Sequence, residues 1–189
     1  SLTHQYHDIY KELNGALVSR FDLSGRVAGE KAAIFMSENA YVGDINVMQG
    51  ADISGDVVSE YAELDDDNNL RLTQLRFGLK ADNEGRATTN IDKEFAIRYA
   101  DNIIGENVSL QFLGGESVLS GNHRLYDVRV GEGATLSGSG EYAIANGSSF
   151  TNQGTLYASQ LGGAITVQGN YEQTSDGRLQ VAFNNDKQI

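Results

Sequence analysis

The sequence predicts an all-β protein wound as a parallel β-helix, a solenoid of short strands. Three observations point there. Apolar and polar residues alternate in runs of three to five, the pattern of half-buried strands. Gly, Asn, Asp and Ser punctuate the runs, with 22 glycines and no proline in 189 residues. Turns therefore rest on residues that tolerate a left-handed backbone, and every N–H stays available to a ladder. Short phrases also recur at uneven intervals, as in a stack of similar coils.

Residues 1–15 read differently from the rest. Tyr6, Ile9, Tyr10 and Leu13 fall at i, i+3, i+4 and i+7, which predicts a short helix or cap, ended by Asn14-Gly15. His4 and His7 lie one helical turn apart there, but no motif supplies a third metal ligand. Residues 16–189 then take a period of two. Val42, Ile45 and Val47 form one run, and Ile53 and Val57 the next. Leu75, Phe77 and Leu79 follow, then Phe95, Ile97 and Tyr99. Val108, Leu110 and Phe112 alternate again, as do Tyr126, Val128 and Val130, and later Tyr142 and Ile144, Ile165 and Val167, and Leu179, Val181 and Phe183. No helical run of ten residues interrupts these strands, which excludes βαβ units.

Repetition orders them. Gly43-Asp44 in Ala40–Ile45 returns as Gly55-Asp56 in Ala51–Val57, and Val118-Leu-Ser-Gly121 has its last three residues again in Thr135-Leu-Ser-Gly138. The competing all-β architecture is an antiparallel sandwich, against which stands the scarcity of Asn-Gly hairpin signals between alternating runs. Two polar stretches, near 60–69 and 81–90, read as loops leaving the stack. Asp65-Asp66-Asp67 in the first raises a Ca²⁺ site, but the phrase lacks the spaced ligands and distal Glu of a calcium loop. It reads as a solvated acidic loop.

Composition limits the function. The chain carries 26 acidic and 14 basic side chains, a net charge of −12, so phosphate backbones and anionic lipid surfaces are repelled. No lipid-spanning segment is present in the sequence, and the opening SLTHQYHDIY has neither the basic nor the apolar region of a signal peptide. With no cysteine, disulfides, thiolate nucleophiles and Cys-ligated zinc are excluded. No Ser lies in G-x-S-x-G. Gly131-Glu-Gly133 opens like a dinucleotide loop, but Leu136 stands at the sixth position and no helix follows. His123 sits in a Gly121-Asn-His-Arg corner, and Asn107-Val-Ser and Asn146-Gly-Ser are formal glycosylation sequons. No catalytic, cofactor-binding or metal-ligating set emerges, and no cofactor is expected.

Gly154-Thr-Leu, followed by Ile165-Thr-Val-Gln-Gly-Asn-Tyr-Glu-Gln-Thr-Ser-Asp-Gly-Arg-Leu179, resembles the closing coils of type V autotransporter passengers, with Gly131–Gly140 similar to the coil before them. Ala40–Ala51 and Arg71–Gly78 are similar to the β-helix that follows the protease domain in subtilisin-like serine-protease autotransporters. The resemblance implies a right-handed parallel β-helix, exported through the periplasm and displayed at, or released from, a Gram-negative cell surface. Its implied partner is the passenger's own C-terminal β-barrel translocator, outside this chain. The family's usual proline after G-T-L is replaced by Tyr157-Ala-Ser, and none of the subtilisin triad motifs occurs, so no catalytic residue carries over.

The first expectation is a structural stalk whose coils fold one upon another during secretion and hold an N-terminal effector, such as a serine protease, away from the membrane. The second is an adhesin or self-associating surface that attaches cells to each other or to a host, for which the discriminating feature is a continuous polar ladder on one face. The third, a polysaccharide-degrading enzyme, needs cations beside clustered carboxylates, whereas Arg71, Arg76, Arg98, Arg124 and Arg129 are spread along the chain. The short connections from Val118 to Phe183 also predict a C-terminal folding seed, with Phe150, Ile165, Val167, Leu179, Val181 and Phe183 stacked inward. The purified chain is expected to turn over neither casein, esters nor acidic polysaccharides, with or without EDTA. Turnover abolished by one Ser, His, Asp or Glu substitution would contradict this reading.

Overall fold

The computed structural model describes residues 17–159 and 163–182. The helix or cap expected over 1–15 lies outside them. The described chain is all-β, a parallel β-solenoid of about seven turns. The first coil holds β1 (Leu17–Leu23), β2 (Arg26–Ala28) and β3 (Ile34–Met36). The second holds β4 (Tyr41–Val47), β5 (Asp52–Ser54) and β6 (Val57–Ser59). The third runs through β7 (Thr73–Phe77), a hairpin of β8 (Leu79–Ala81) and β9 (Ala87–Ile91), then β10 (Ala96–Tyr99) and the start of β11 (Ile103–Phe112). The fourth takes the end of β11, β12 (Glu116–Leu119) and the start of β13 (Asn122–Val130). The fifth takes the end of β13, β14 (Thr135–Gly138) and β15 (Gly140–Ile144). The sixth holds β16 (Ser149–Asn152), β17 (Thr155–Ser159) and β18 (Ile165–Gln168), and β19 (Asn170–Gln173) and β20 (Arg178–Ala182) lie on top of it.

Three faces result. The first is β1, β4, β7, the end of β11, the end of β13, β16 and β19, all parallel. Its register aligns Phe21, Ile45, Leu75, Leu110, Val128, Phe150 and Tyr171 in one inward column. Two residues on, Leu23, Val47, Phe77, Phe112 and Val130 form a second, fully buried column. Alternation places both columns inside, because residues i and i+2 share a sheet face. Rings interlock along the columns: Phe77 and Phe112 centroids lie 5.4 Å apart, Phe150 and Tyr171 5.7 Å.

The third face, β3, β6, the start of β11, the start of β13, β15 and β18, is continuous with the first because β11 and β13 run through the corner. The second face is split. β2 pairs only β5, while β10, β12, β14, β17 and β20 form a separate ladder. At the break the Gln49 side chain accepts the Ala96 N–H at 2.9 Å, supplying one bond that the missing ladder would have made. Short polar side chains stitch the corner between the second and third faces. Asp101 accepts the Gly55 N–H at 2.8 Å, Asp56 the Asn102 N–H at 2.9 Å, and Asn102 the Asn122 N–H at 2.8 Å. Gly138 shows why glycine punctuates the coils. Its φ is 107°, and a Cβ there would lie 2.1 Å from the Leu119 carbonyl oxygen of the coil beneath, a position closed to any side chain.

The two excursions differ from each other. Residues 60–72 wrap the coil as a closed loop. Tyr61 is buried against Tyr41 with centroids 5.2 Å apart, Leu64 bridges Leu70, and the Asp65 carboxylate accepts the Asp67 and Asn69 N–H groups. The stretch 81–90, expected as an open loop, contains the turn and second strand of the β8–β9 hairpin. Asp82 closes that turn by accepting the Glu84 and Arg86 N–H groups at 2.8 and 2.9 Å, and these bonds hold its carboxyl below the usual range.

The expected C-terminal seed needs revision. Phe150 is fully buried and Ile165 and Val167 are half-buried, but Tyr171 is 39% and Leu179 57% exposed; Phe183 and the Val181 side chain lie outside the described residues. Burial is complete from Leu23 and Met36 in the first coil to Phe150 in the sixth, and fades at β19 and β20. Phe112→Ala is therefore expected to cost about 3–5 kcal/mol, and Leu179→Ala about 0.5 kcal/mol or less, by urea unfolding. Limited proteolysis in rising urea should leave a fragment that keeps residues 95–117 together with 118–156; one confined to residues from 118 onward would restore the C-terminal seed.

Candidate interaction face

The outward side chains of the first face form two parallel columns. One aligns Arg20, Asp44, Gln74, Ser109 and Asp127. The other aligns Asp22, Asn46, Arg76, Gln111, Arg129, Thr151 and Glu172. Every one of these side chains is polar. They bond sideways and up the stack, because parallel in-register strands put equivalent positions about 4.8 Å apart. Arg20 Nε bonds Asp22 at 2.7 Å, Asn46 donates to Asp22 at 2.9 Å, and Arg76 bonds Asp44 at 2.5 Å. Gln111 donates to the Gln74 side-chain carbonyl, and the Ser109 hydroxyl donates to Asp127. Burial pushes the Asp127 carboxyl up, with the Ser109 bond and Arg129 working against it. Together these columns make a polar ladder, of which only scattered members were visible in the sequence.

The β8–β9 hairpin folds onto this face. Arg20 donates to the Ala87 carbonyl at 2.9 Å, and Asp22 accepts the Ala87 N–H at 3.2 Å. Between hairpin and ladder lies an open cleft of about 490 Å³, with Arg20, Asp44, Asn46 and Arg76 on one side and Thr88 and Thr89 on the other. Sequence reasoning missed Arg20, and it missed the cleft because the hairpin was read as an open loop.

The residues singled out from sequence scatter over the fold. Of the five arginines, Arg76 and Arg129 share the ladder, with Gln111 between them. Arg71 lies 5.9 Å over the Tyr41 ring, Arg98 lines a small hollow on the second face, and Arg124 stands outward on the third. Asn107 is fully buried and donates to the Arg71 carbonyl at 3.3 Å, so a glycan there is incompatible with the fold, whereas Asn146 is exposed. Among the described residues no group of three His, Asp or Glu side chains could hold a metal ion. His4 and His7 lie outside those residues. Comparison of the chain with protein families, with curated proteins and with solved structures finds no match.

His123, expected at a corner, is instead a core residue of β13, 2% exposed. Its ring lies 4.8 Å from that of Tyr142, Nδ1 accepts the Ile103 N–H at 3.0 Å, and Nε2 has no partner of ordinary hydrogen-bond geometry. Burial holds its pKa down to about 4, the Ser120 backbone and the Asp56 carboxylate offsetting only part of that. The folded state thus refuses a proton that the unfolded chain takes up at its ordinary value of 6.5. Stability from this group is complete above about pH 6.5 and is lost as pH falls towards 4, by about 3 kcal/mol in all. Asp127, with its raised pKa, acts in the opposite sense. Urea unfolding at pH 7, 5.5 and 4 should show the loss, and His123→Phe should flatten most of it; an unchanged slope in that variant would contradict the assignment.

Proposed function

We propose that this chain is a structural β-solenoid, the stalk of a surface-displayed autotransporter passenger. The observation that carries the reading is the unbroken parallel register of the first face from β1 to β19, which makes the chain a rod grown one coil at a time. Such a fold suits export followed by vectorial stacking, since each coil needs only its neighbour. The phrase that resembles autotransporter passengers falls on coil-building positions. Gly169, at φ 120°, turns the chain from β18 to β19, Asn170 donates to the Ser148 carbonyl at 3.2 Å, and Tyr171 stacks over Phe150. Gln173 ties back to the Gly177 carbonyl at 3.2 Å. The phrase therefore has a physical reason to recur wherever such coils close, whatever the effector upstream.

The polar ladder and the hairpin over it favour a second role within the same scaffold, an interaction face pointing away from the rod. The column follows from the register alone, but a bare spacer has no need of a second structural layer folded over its Arg20, Asp22, Asn46 and Arg76 end.

The stalk reading is tested by placing the chain between an exported reporter and an autotransporter β-barrel and measuring surface protease accessibility of the reporter. Wild type should deliver it, and Gly138→Val, which drives a side chain into the Leu119 carbonyl, should lower delivery several-fold. Equal delivery by both would overturn the proposal that coil stacking drives export.

A further inference from the structure

We infer that the cleft under the β8–β9 hairpin is a binding site for a neutral oligosaccharide, laid along the solenoid axis. The inference stands on the cleft alone and survives failure of the stalk reading. Its volume of about 490 Å³ is in the range of small-ligand sites, and the groups around it narrow the chemistry.

Asn46 is the sharpest pointer. It lines the cleft, is 4% exposed, donates its amide N–H to Asp22, and leaves Oδ1 without a hydrogen-bond partner. Oδ1 itself has almost no accessible surface, so a ligand hydroxyl meets it only when the Asn46 side chain shifts toward the cleft; a buried unmatched acceptor costs on the order of 1–3 kcal/mol, which that bond would recover. Beside it, Arg76 holds Asp44 through one nitrogen and one oxygen only. Both residues line the cleft, so a guanidinium donor and a carboxylate acceptor stand side by side in its wall. Thr89 stands on the opposite wall, and Leu79 and Leu113 supply apolar surface for the C–H face of a ring.

Other ligand classes fit less well. Arg20 and Arg76 are each already paired with an aspartate, and the chain carries −12 overall, so an anion finds no uncompensated cation there. An added peptide strand would need free backbone groups on the hairpin wall, but the Ala87 N–H and carbonyl are both taken by Asp22 and Arg20. What remains is a neutral ligand that both donates and accepts at closely spaced points. A polyol does both. The ladder also offers equivalent polar pairs, Asp44 with Asn46 and Gln74 with Arg76, on successive coils. Their spacing of about 4.8 Å is near the rise per residue of an extended β-1,4-linked hexose chain, in which alternate rings are turned over, so sugars of the same facing would meet every second coil.

The test is calorimetric and NMR titration of the full chain with cellohexaose, N-acetylchitohexaose and hexagalacturonate. Saturable binding of one neutral hexaose is expected, with shifts confined to β1, β4, β7, Leu113 and the hairpin. Arg76→Gln should weaken it about tenfold or more, and Thr89→Val, at an exposed position that leaves the fold untouched, about fivefold. Absence of saturation by both neutral hexaoses, preference for hexagalacturonate, or full-strength binding by both variants would each overturn the assignment.

Discussion

Everything in this protein depends on parallel in-register stacking. A coil of about twenty residues has no core of its own. Its inward side chains become buried only when the coils above and below present residues at the same positions. The columns Phe21–Ile45–Leu75–Leu110–Val128–Phe150 and Leu23–Val47–Phe77–Phe112–Val130 are that constraint made visible. It dictates glycine where coils approach closely, as at Gly138, and short Asp and Asn side chains where corner N–H groups need partners, as at Asp56 and Asn102. It also explains why burial fades at Tyr171 and Leu179, where the next coil is missing among the described residues.

The same constraint produces the outward ladder. Stacking that aligns apolar residues inside must align their alternate neighbours outside, so polar residues placed anywhere on this face meet one another at strand spacing. Polar ladder and core are thus two sides of one register. The hairpin changes what the ladder can do, turning a flat polar strip into a walled cleft, and Arg20 and Asp22 hold it there through both backbone groups of Ala87.

Much of the fold was legible because period-two alternation and proline-free, glycine-rich punctuation report local backbone geometry directly. Register was less so. Val118–Gly121 and Thr135–Gly138 align as phrases with Leu119 over Leu136, yet the structure pairs Leu119 with Gly138 and Ser117 with Leu136. A slip of two residues keeps every side chain on its face, so alternation cannot detect it. Gly43-Asp44 and Gly55-Asp56, which read as a repeat, fall on different parts of the coil, the first inside β4 and the second in the turn between β5 and β6. The hairpin was hidden because its turn, Asp82-Asn-Glu-Gly85, carries polar residues that suit an open loop equally well. His123 looked like a corner residue because flanking Gly121 and Asn122 mark a turn; its burial follows from alternation with Leu125 on β13. The ladder escaped notice because its members lie 18 to 35 residues apart and carry no motif of their own.

The central claim is the parallel stack itself, and backbone NOEs across it are its most direct measurement. In isotope-labelled protein, the account predicts sequential cross-coil contacts linking Ile45 to Leu75, Leu75 to Leu110 and Leu110 to Val128, in the staggered pattern of parallel strands. Close Hα–Hα pairs between these segments, the mark of antiparallel neighbours, would contradict it and return the chain to a sandwich.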